Sequence, residues 1–266
     1  MADKRFAFGR NWRNYLSKLN DDRIDEARKS LSEWLGVDDL SGKTFLDIGS
    51  GSGLFSLAAR RMGARVYSFD YDTDSVGCTS MLRDRFYPDD VNWSVERGDV
   101  LDDAYLAKYD KADIVYSWGV LHHTGNMRKA LDNAGKLVKD GGKLFIAIYN
   151  DQDGTTAFWI AVKKAYNSLP GPLKLLILIP YLIANWLPRF VVDLIRLKPF
   201  AQWRAYTKRG MSPIYDAVDW CGGYPFEVAK PEMILEFYRE RGFELEKMST
   251  VGGHKGCNEY LLKKTE

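Results

Sequence analysis

The sequence predicts an α/β protein built on a Rossmann-like, seven-stranded, mostly parallel sheet with helices on both faces, an antiparallel last strand and a helical insertion. Three observations predict it. From Lys43 to Asn150, short apolar strands alternate with amphipathic segments, an order that implies a parallel sheet covered on both sides. A glycine-rich turn, Gly49-Ser50-Gly51-Ser52-Gly53, closes the first strand and opens a helix. Near the end, FELEKMSTV and CNEYLLKK are joined by the short GGHKG loop, so the last strand enters antiparallel.

The elements follow in order. Residues 1–42 mix aromatics with charge, and Ile24, Ala27, Leu31 and Leu35 recur at helical spacing before a stop at Gly36. This stretch reads as a helical flap, with Phe6, Phe8, Trp12 and Tyr15 either closing over a cofactor or meeting another subunit. The core occupies residues 43–150: strand TFLDIG, helix LFSLAARRMG, strand ARVYSFD, a helix through Met81 to Phe86, strand VNWSVERGD, strand ADIVYSWGV, helix NMRKALDNAGKLVKD and strand GKLFIAIYN. Residues 151–230 break that rhythm and read as a helical insertion or substrate lid. The core resumes over 231–266 with a helix ending at Gly242 and the closing hairpin.

Composition bounds the function. The 266 residues are 45% hydrophobic and 28% charged, enough for one large core, and 38 Lys and Arg against 36 Asp and Glu leave a net charge of only +2. No global field steers the chain onto nucleic acid or an acidic membrane, so nucleic acid is not expected as a partner. Cys78, Cys221 and Cys257 stand far apart, and with three histidines they form no metal-ligand spacing. No metal is expected, and a reduced, cytoplasmic setting fits. The segment MADKRFAFGRNWRNYL carries no apolar signal-peptide stretch. The longest uncharged apolar stretch, from Leu175 to Pro188 with Pro180 inside it, is shorter than the roughly 18–20 residues of a spanning helix.

Glycine lets the backbone turn sharply and lets a ligand approach, and the helix start beyond it offers unpaired N–H groups. A nucleotide-like cofactor is implied. About 20 residues further on, the next strand ends at Asp70, whose carboxylate can accept from ribose hydroxyls. The spacing is G-x-G-x-G rather than G-x-G-x-x-G, and only one strand-helix half follows, so a dinucleotide would lack its second half-site.

The segments Asp47-Ile48-Gly49-Ser50-Gly51-Ser52-Gly53, Asp70, Glu96-Arg97-Gly98-Asp99 and DIVYSWGVLHH resemble the class I S-adenosylmethionine-dependent methyltransferases over residues 43–150 and, more loosely, 231–266. The resemblance implies S-adenosylmethionine as cofactor. Gly49, Gly51 and Gly53 would face its methionine and ribose portions, with Asp47 near its amino group. Asp70 would hold the ribose hydroxyls and Tyr71 would lie against the adenine. Asp99 would accept from the adenine amine, with Val100 supplying a backbone N–H. Ser117 and Trp118 would line the sulfonium end.

Methyl transfer from a sulfonium needs alignment and, for an oxygen or nitrogen acceptor, a base. His122 and His123 follow the fourth strand, and an unperturbed imidazole titrates near pH ~6.5. One of them is the candidate base; capping of the next helix is the competing role. Tyr149 and Asn150 at the end of the fifth strand, His254 and Asn258 around the closing hairpin, and Asp219, Trp220, Tyr224 and Glu227 from the insertion are the candidate acceptor contacts. Together they suit a hydroxylated or ring-containing molecule.

The apolar segment 172–197 has three readings: a lid over the acceptor, a homodimer surface, or an interfacial helix pair making peripheral membrane contact. The function expected is methyl transfer to a small or medium-sized metabolite, at oxygen. Two alternatives stand beside it. One is a tRNA wobble-uridine modifying enzyme, to whose GVLHH segment this one is similar. The other is a catalytically silent cofactor-binding scaffold.

Overall fold

The computed structural model describes Phe6, Gly9, Trp12, residues 19–208 and residues 213–265. Helix α1 (Asp21–Leu35) begins where the Asn20 side chain accepts from the Arg23 N–H and ends at Gly36. It buries Ile24, Ala27, Leu31 and Leu35, the four residues at helical spacing. The core then runs β1 (Thr44–Ile48), α2 (Leu54–Arg61), β2 (Arg65–Asp70), α3 (Thr73–Phe86), β3 (Trp93–Arg97), the short α4 (Asp103–Leu106), β4 (Ala112–Trp118), α5 (Met127–Lys136) and β5 (Val138–Tyr149). Then come α6 (Thr156–Ser168), α7 (Leu175–Ile195), α8 (Ala201–Lys208) and α9 (Pro213–Gly222). The chain ends with α10 (Pro231–Arg239), β6 (Phe243–Ser249) and β7 (Cys257–Lys264).

The seven strands form one sheet in the order β3-β2-β1-β4-β5-β7-β6. β7 is antiparallel to both of its neighbours and the other six strands share one direction, which brings their carboxyl ends to one edge. On one face α1 and α2 pack on Phe45, Val66, Ile114 and Phe145. On the other, α5 and α10 pack on Leu46, Ile48, Val115, Leu144 and Ile146. Neighbouring residues of β1 serve opposite cores, which is why the strand reads as a continuous apolar run. β6 closes the sheet as an exposed edge, and Glu244, Glu246 and Lys247 on it discourage pairing with another chain.

The chain divides into two compact units, one holding residues up to Asp153 with 227–265, the other holding Phe6 with 154–226. In the second unit α6, α7 and α9 enclose Tyr166, Leu178, Ala217 and Cys221. Lys163 is buried there. Its ammonium donates to the Trp220 carbonyl and lies 4.8 Å and 4.5 Å from the Trp220 and Phe226 ring centroids. Burial lowers its pKa to about 7.

Two expectations are corrected. The helix read from Asn126 to Asp140 stops at Lys136, because Val138 pairs with Ala112 and begins β5. Pro180 does not interrupt the apolar stretch: α7 runs unbroken through Pro180 and Pro188, both on its exposed side. Among the described residues, Gly171–Ile195 is thus one helix long and apolar enough to cross a membrane.

Leu31 is fully buried between α1 and the sheet. Leu31→Ala is expected to cost about 2–5 kcal/mol, read from urea unfolding; a loss well under 1 kcal/mol would contradict α1 as part of the core.

Candidate functional site

The loop between β1 and α2 is held in one conformation from three sides. Gly49, Gly51 and Gly53 have φ of +81°, +55° and +79°, a region that side-chain-bearing residues avoid. The N–H groups of Gly49 and Ser50 donate to the Phe69 carbonyl at the tip of β2, at 2.8 and 3.1 Å. A Cβ on Gly49 would sit 2.4 Å from a Val120 methyl, and one on Gly53 would sit 2.9 Å from the Thr79 backbone. The Ser50 and Thr79 hydroxyls meet at 2.9 Å. The loop therefore presses against α3 on one side and the loop after β4 on the other, contacts that only a bare backbone permits.

Asp70 ends β2 beside this loop. One of its carboxylate oxygens accepts from the Gly51 N–H and the other from the Asp72 N–H, both at 2.9 Å. Burial raises its pKa to about 6, opposed by the N–H groups of Asp72, Gly51 and Tyr71. Tyr71, next in sequence, is 45% exposed, with the Arg97 guanidinium 5.6 Å from its ring centroid. On the neighbouring strand end, Asp99 is partly exposed and accepts from the Leu101 N–H. The Val100 side chain is in the core and its carbonyl accepts from Asn133.

Asp47, expected near the cofactor's amino group, is buried and accepts from the Ser56 hydroxyl at 2.5 Å. Behind Ser56 stand the Ser68 hydroxyl at 2.7 Å and the Trp93 indole N–H, which donates to Ser68 at 2.9 Å. With the indole as a fixed donor, the chain Trp93, Ser68, Ser56, Asp47 carries every hydrogen in one direction and ends on the carboxyl group. Burial raises the Asp47 pKa to about 7; the Ser56 bond opposes this and the Asp70 charge adds to it. Nothing in the sequence marks Ser56, Ser68 and Trp93 as one network, since they lie on three different elements.

At the tip of β4 the expected roles divide. Ser117, expected at the sulfonium end, is instead fully buried and donates to the Ile48 carbonyl, tying β4 to β1 just before the glycine loop. Trp118 is 47% exposed and its indole N–H donates to Glu259 at 2.6 Å. Residues Leu121–His123 form a 3₁₀ turn in which the His123 N–H donates to the Val120 carbonyl. His122 is fully buried; its Nδ1 accepts from the Tyr149 N–H, so its proton is assigned to Nε2. His123 is partly exposed, its ring centroid 4.5 Å from that of His122 and 5.3 Å from that of Tyr149. His122 is therefore enclosed and held by the Tyr149 N–H, while His123 is partly exposed.

Three more candidates are reassigned. Glu227, expected in the insertion's roof, belongs to the sheet-bearing unit: its carboxylate accepts from the Met127 N–H at the start of α5, and its own N–H donates to the His122 carbonyl. Burial raises its pKa, opposed by the N–H groups of Met127 and Gly125. Asn150 and Asn258, expected to face the acceptor, are buried and bond to each other at 2.9 Å. They also hold the closing hairpin, Asn150 donating to the His254 carbonyl and Asn258 accepting from the Val251 N–H. His254 is exposed on that loop.

Within the 154–226 unit, Asp219 and Trp220 lie on α9, and Trp220 meets Trp159 edge-on at 5.2 Å. The Tyr224 carbonyl accepts from the Phe6 N–H, so Phe6 belongs to this unit rather than to a flap with Trp12. Trp12 belongs to the other unit, its indole 3.1 Å from where a Gly51 Cβ would stand, and the Gly9 N–H donates to Asp72 nearby. Phe8 and Tyr15 lie outside the described residues.

The profile of a methyltransferase domain matches residues 13–220. The chain belongs to the class I S-adenosylmethionine-dependent methyltransferases. Among its relatives, the ubiquinone biosynthesis O-methyltransferase of Rhizobium etli is 29% identical over 179 residues, 65% of this chain and 63% of that protein. The protein of the same name from Rhizobium leguminosarum bv. trifolii is 30% identical over 179 residues, 65% of this chain and 62% of its own. The match thus spans somewhat under two thirds of these relatives. In fold the chain is similar to the magnesium protoporphyrin IX methyltransferase of Synechocystis PCC 6803 solved with bound SAH, with a TM-score of 0.54 at 16% identity, covering 93% of this chain and 89% of that one. It is also similar to a SAM-dependent methyltransferase from Aquifex aeolicus, with a TM-score of 0.51 at 13% identity, covering 95% and 97%.

S-adenosylmethionine is the cofactor of this family, and the residues at the strand tips fit it. Each Asp70 oxygen accepts one backbone N–H and keeps capacity for a hydroxyl donor, beside a Gly51 that carries no side chain and lies against the Trp12 indole. The cofactor supplies an already activated methyl group; alignment and proton removal fall to the protein.

The raised pKa of Asp47 has a consequence for stability. Unfolded, the group ionises near 3.8; folded, near 7. Stability present below the lower value is lost as pH rises through the upper one, by up to roughly 1.4 kcal/mol per pH unit. Asp47→Asn is expected to flatten this loss between pH 5 and 7 in urea unfolding; parallel pH profiles for the two proteins would contradict it.

Proposed function

We propose that the enzyme methylates an oxygen of a small hydroxylated metabolite, with His123 taking the acceptor's proton. The observation that carries this reading is the position of His123, partly exposed in the same 3₁₀ turn whose Val120 closes on Gly49. A hydroxyl is a poor nucleophile until a base removes its proton, and a neutral imidazole serves at physiological pH. The buried His122, fixed by the Tyr149 N–H, backs the His123 ring, while Glu227 fixes the start of α5 and, through its N–H, the His122 carbonyl. The O-methyltransferase names of the relatives support oxygen as the acceptor atom.

In the same reading Asp70 holds the cofactor ribose, with Gly51 beside it, and Asp99 faces the adenine. Asp70→Asn is expected to weaken S-adenosylhomocysteine binding at least tenfold in calorimetry, because an amide offers one acceptor oxygen in place of two. Wild-type affinity should also fall as pH drops through about 6, where Asp70 gains its proton. Undiminished affinity in the variant, or a flat profile from pH 7 to 5, would contradict the ribose assignment.

The acceptor reading is tested by incubating the enzyme with S-adenosylmethionine and a panel of phenols, catechols and amines, with products identified by mass spectrometry and NMR. O-methyl products are expected. His123→Ala should lower kcat by about 100-fold, leave S-adenosylhomocysteine affinity within about twofold, and be partly restored by added imidazole. Methylation confined to nitrogen, or an unchanged kcat in the variant, would overturn the reading.

A further inference from the structure

We infer that the exposed face of α7 docks on an anionic lipid bilayer, with the helix lying in the plane of the membrane surface. The inference is independent of the acceptor. Leu176, Ile179, Ile183, Leu187, Val191 and Ile195 succeed one another at intervals of three and four residues and form one continuous side of the helix, each 45–77% exposed. Scattered exposed leucines are ordinary; an unbroken apolar face five turns long is not, and water penalises it unless something covers it.

The opposite side of α7 says what kind of cover fits. Leu178 is in the core of the 154–226 unit, with Ile177, Tyr181 and Leu182 packed against it, and Trp186 meets Trp203 and Tyr206 of α8 at 4.7 and 5.4 Å. Asp193 is buried and accepts from the Gln202 backbone and side chain, fastening α8 to the end of α7. A helix packed along one side and carrying a buried acid near its end is committed to protein there. It therefore offers a bilayer one side rather than its whole circumference, the geometry of an interfacial helix.

Charge selects the bilayer over a second copy of the chain. Residues 154–208 contain eight lysines and arginines and a single acid, Asp193, in a chain whose total net charge is only +2. That acid is buried, whereas Arg189, Arg196 and Lys198 are exposed on or just after α7. Arg189 and Arg196 fall on the side of the helix away from the apolar stripe, as in an interfacial helix whose polar side lies among anionic headgroups while its apolar side enters the acyl boundary; a second copy meeting that apolar face would bring no acid to these cations.

The test is flotation of the full chain with vesicles of phosphatidylcholine alone or with one third phosphatidylglycerol. Binding is expected to the anionic vesicles, at least tenfold weaker to the neutral ones, reduced at about 0.5 M salt and removed by alkaline carbonate. Ile183→Glu with Leu187→Glu should lower binding at least tenfold while circular dichroism and S-adenosylhomocysteine affinity stay unchanged. Should that variant misfold, Arg196→Glu with Lys198→Glu, both outside any packed core, should still erase the preference for anionic vesicles. Absence of flotation with both vesicle types overturns the inference. So does carbonate-resistant insertion, a dimer in sedimentation velocity that Ile183→Glu dissociates without any vesicle binding, or salt-sensitive tRNA binding without flotation.

Discussion

The hydrogen bond from the Gly51 N–H to the Asp70 carboxylate is the contact on which the site depends. It couples a loop that only glycine can form to the acid that ends the next strand, so the two halves of the proposed nucleoside site arrive already positioned relative to each other. The parallel sheet makes this possible, because β1 and β2 run in register from Thr44 opposite Arg65 to Ile48 opposite Phe69 and finish at the same edge. Loop residues before Gly51 reach the Phe69 carbonyl, and Ser117 of β4 reaches the Ile48 carbonyl, so three strand tips are laced together beneath the loop. Preorganisation of this kind reduces the ordering cost that binding would otherwise carry.

A buried acid directly beneath the loop is a costly neighbour. Asp47 tolerates its place because a hydroxyl chain from Trp93 delivers a donor to it, and because its proton stays on up to about pH 7. Asp47 and Asp70 repel one another as they ionise, so the two acids at adjoining strands resist carrying full charge together. A ligand that brings hydroxyl donors to Asp70 favours its ionised form, so the proposed ribose contact would link binding to proton release at this edge of the sheet.

Much of this was legible in the sequence, and the reasons are local. Alternating apolar runs and the glycine motif place β1, β2, β4 and β5, and Asp70 is found by its distance from the glycines. Helix α1 follows from four residues at helical spacing. What sequence could not supply was orientation. Ser117 sits at the expected strand end, yet the pleat turns its hydroxyl to Ile48; Asn150 and Asn258 sit at the expected edge, yet they satisfy each other and the hairpin backbone. His122 and His123 are indistinguishable as adjacent letters, and burial together with the bond from the Tyr149 N–H sets His122 apart from the partly exposed His123. Glu227 falls at the end of a segment that reads as insertion, but its bonds are made to α5 and the His122 carbonyl. Proline content suggested a broken apolar stretch at Leu175–Pro188, whereas both prolines ride on the outer side of a continuous helix.

In the proposed function, the strand tips at Gly49–Gly53 and Asp70 hold the cofactor's nucleoside. The most direct measurement is a crystal structure of the enzyme with S-adenosylhomocysteine. Ribose hydroxyls are expected within hydrogen-bond distance of both Asp70 oxygens, with the amino-acid portion against the glycine loop. Density for the ligand elsewhere, with Asp70 bonded only to Gly51 and Asp72, would contradict it.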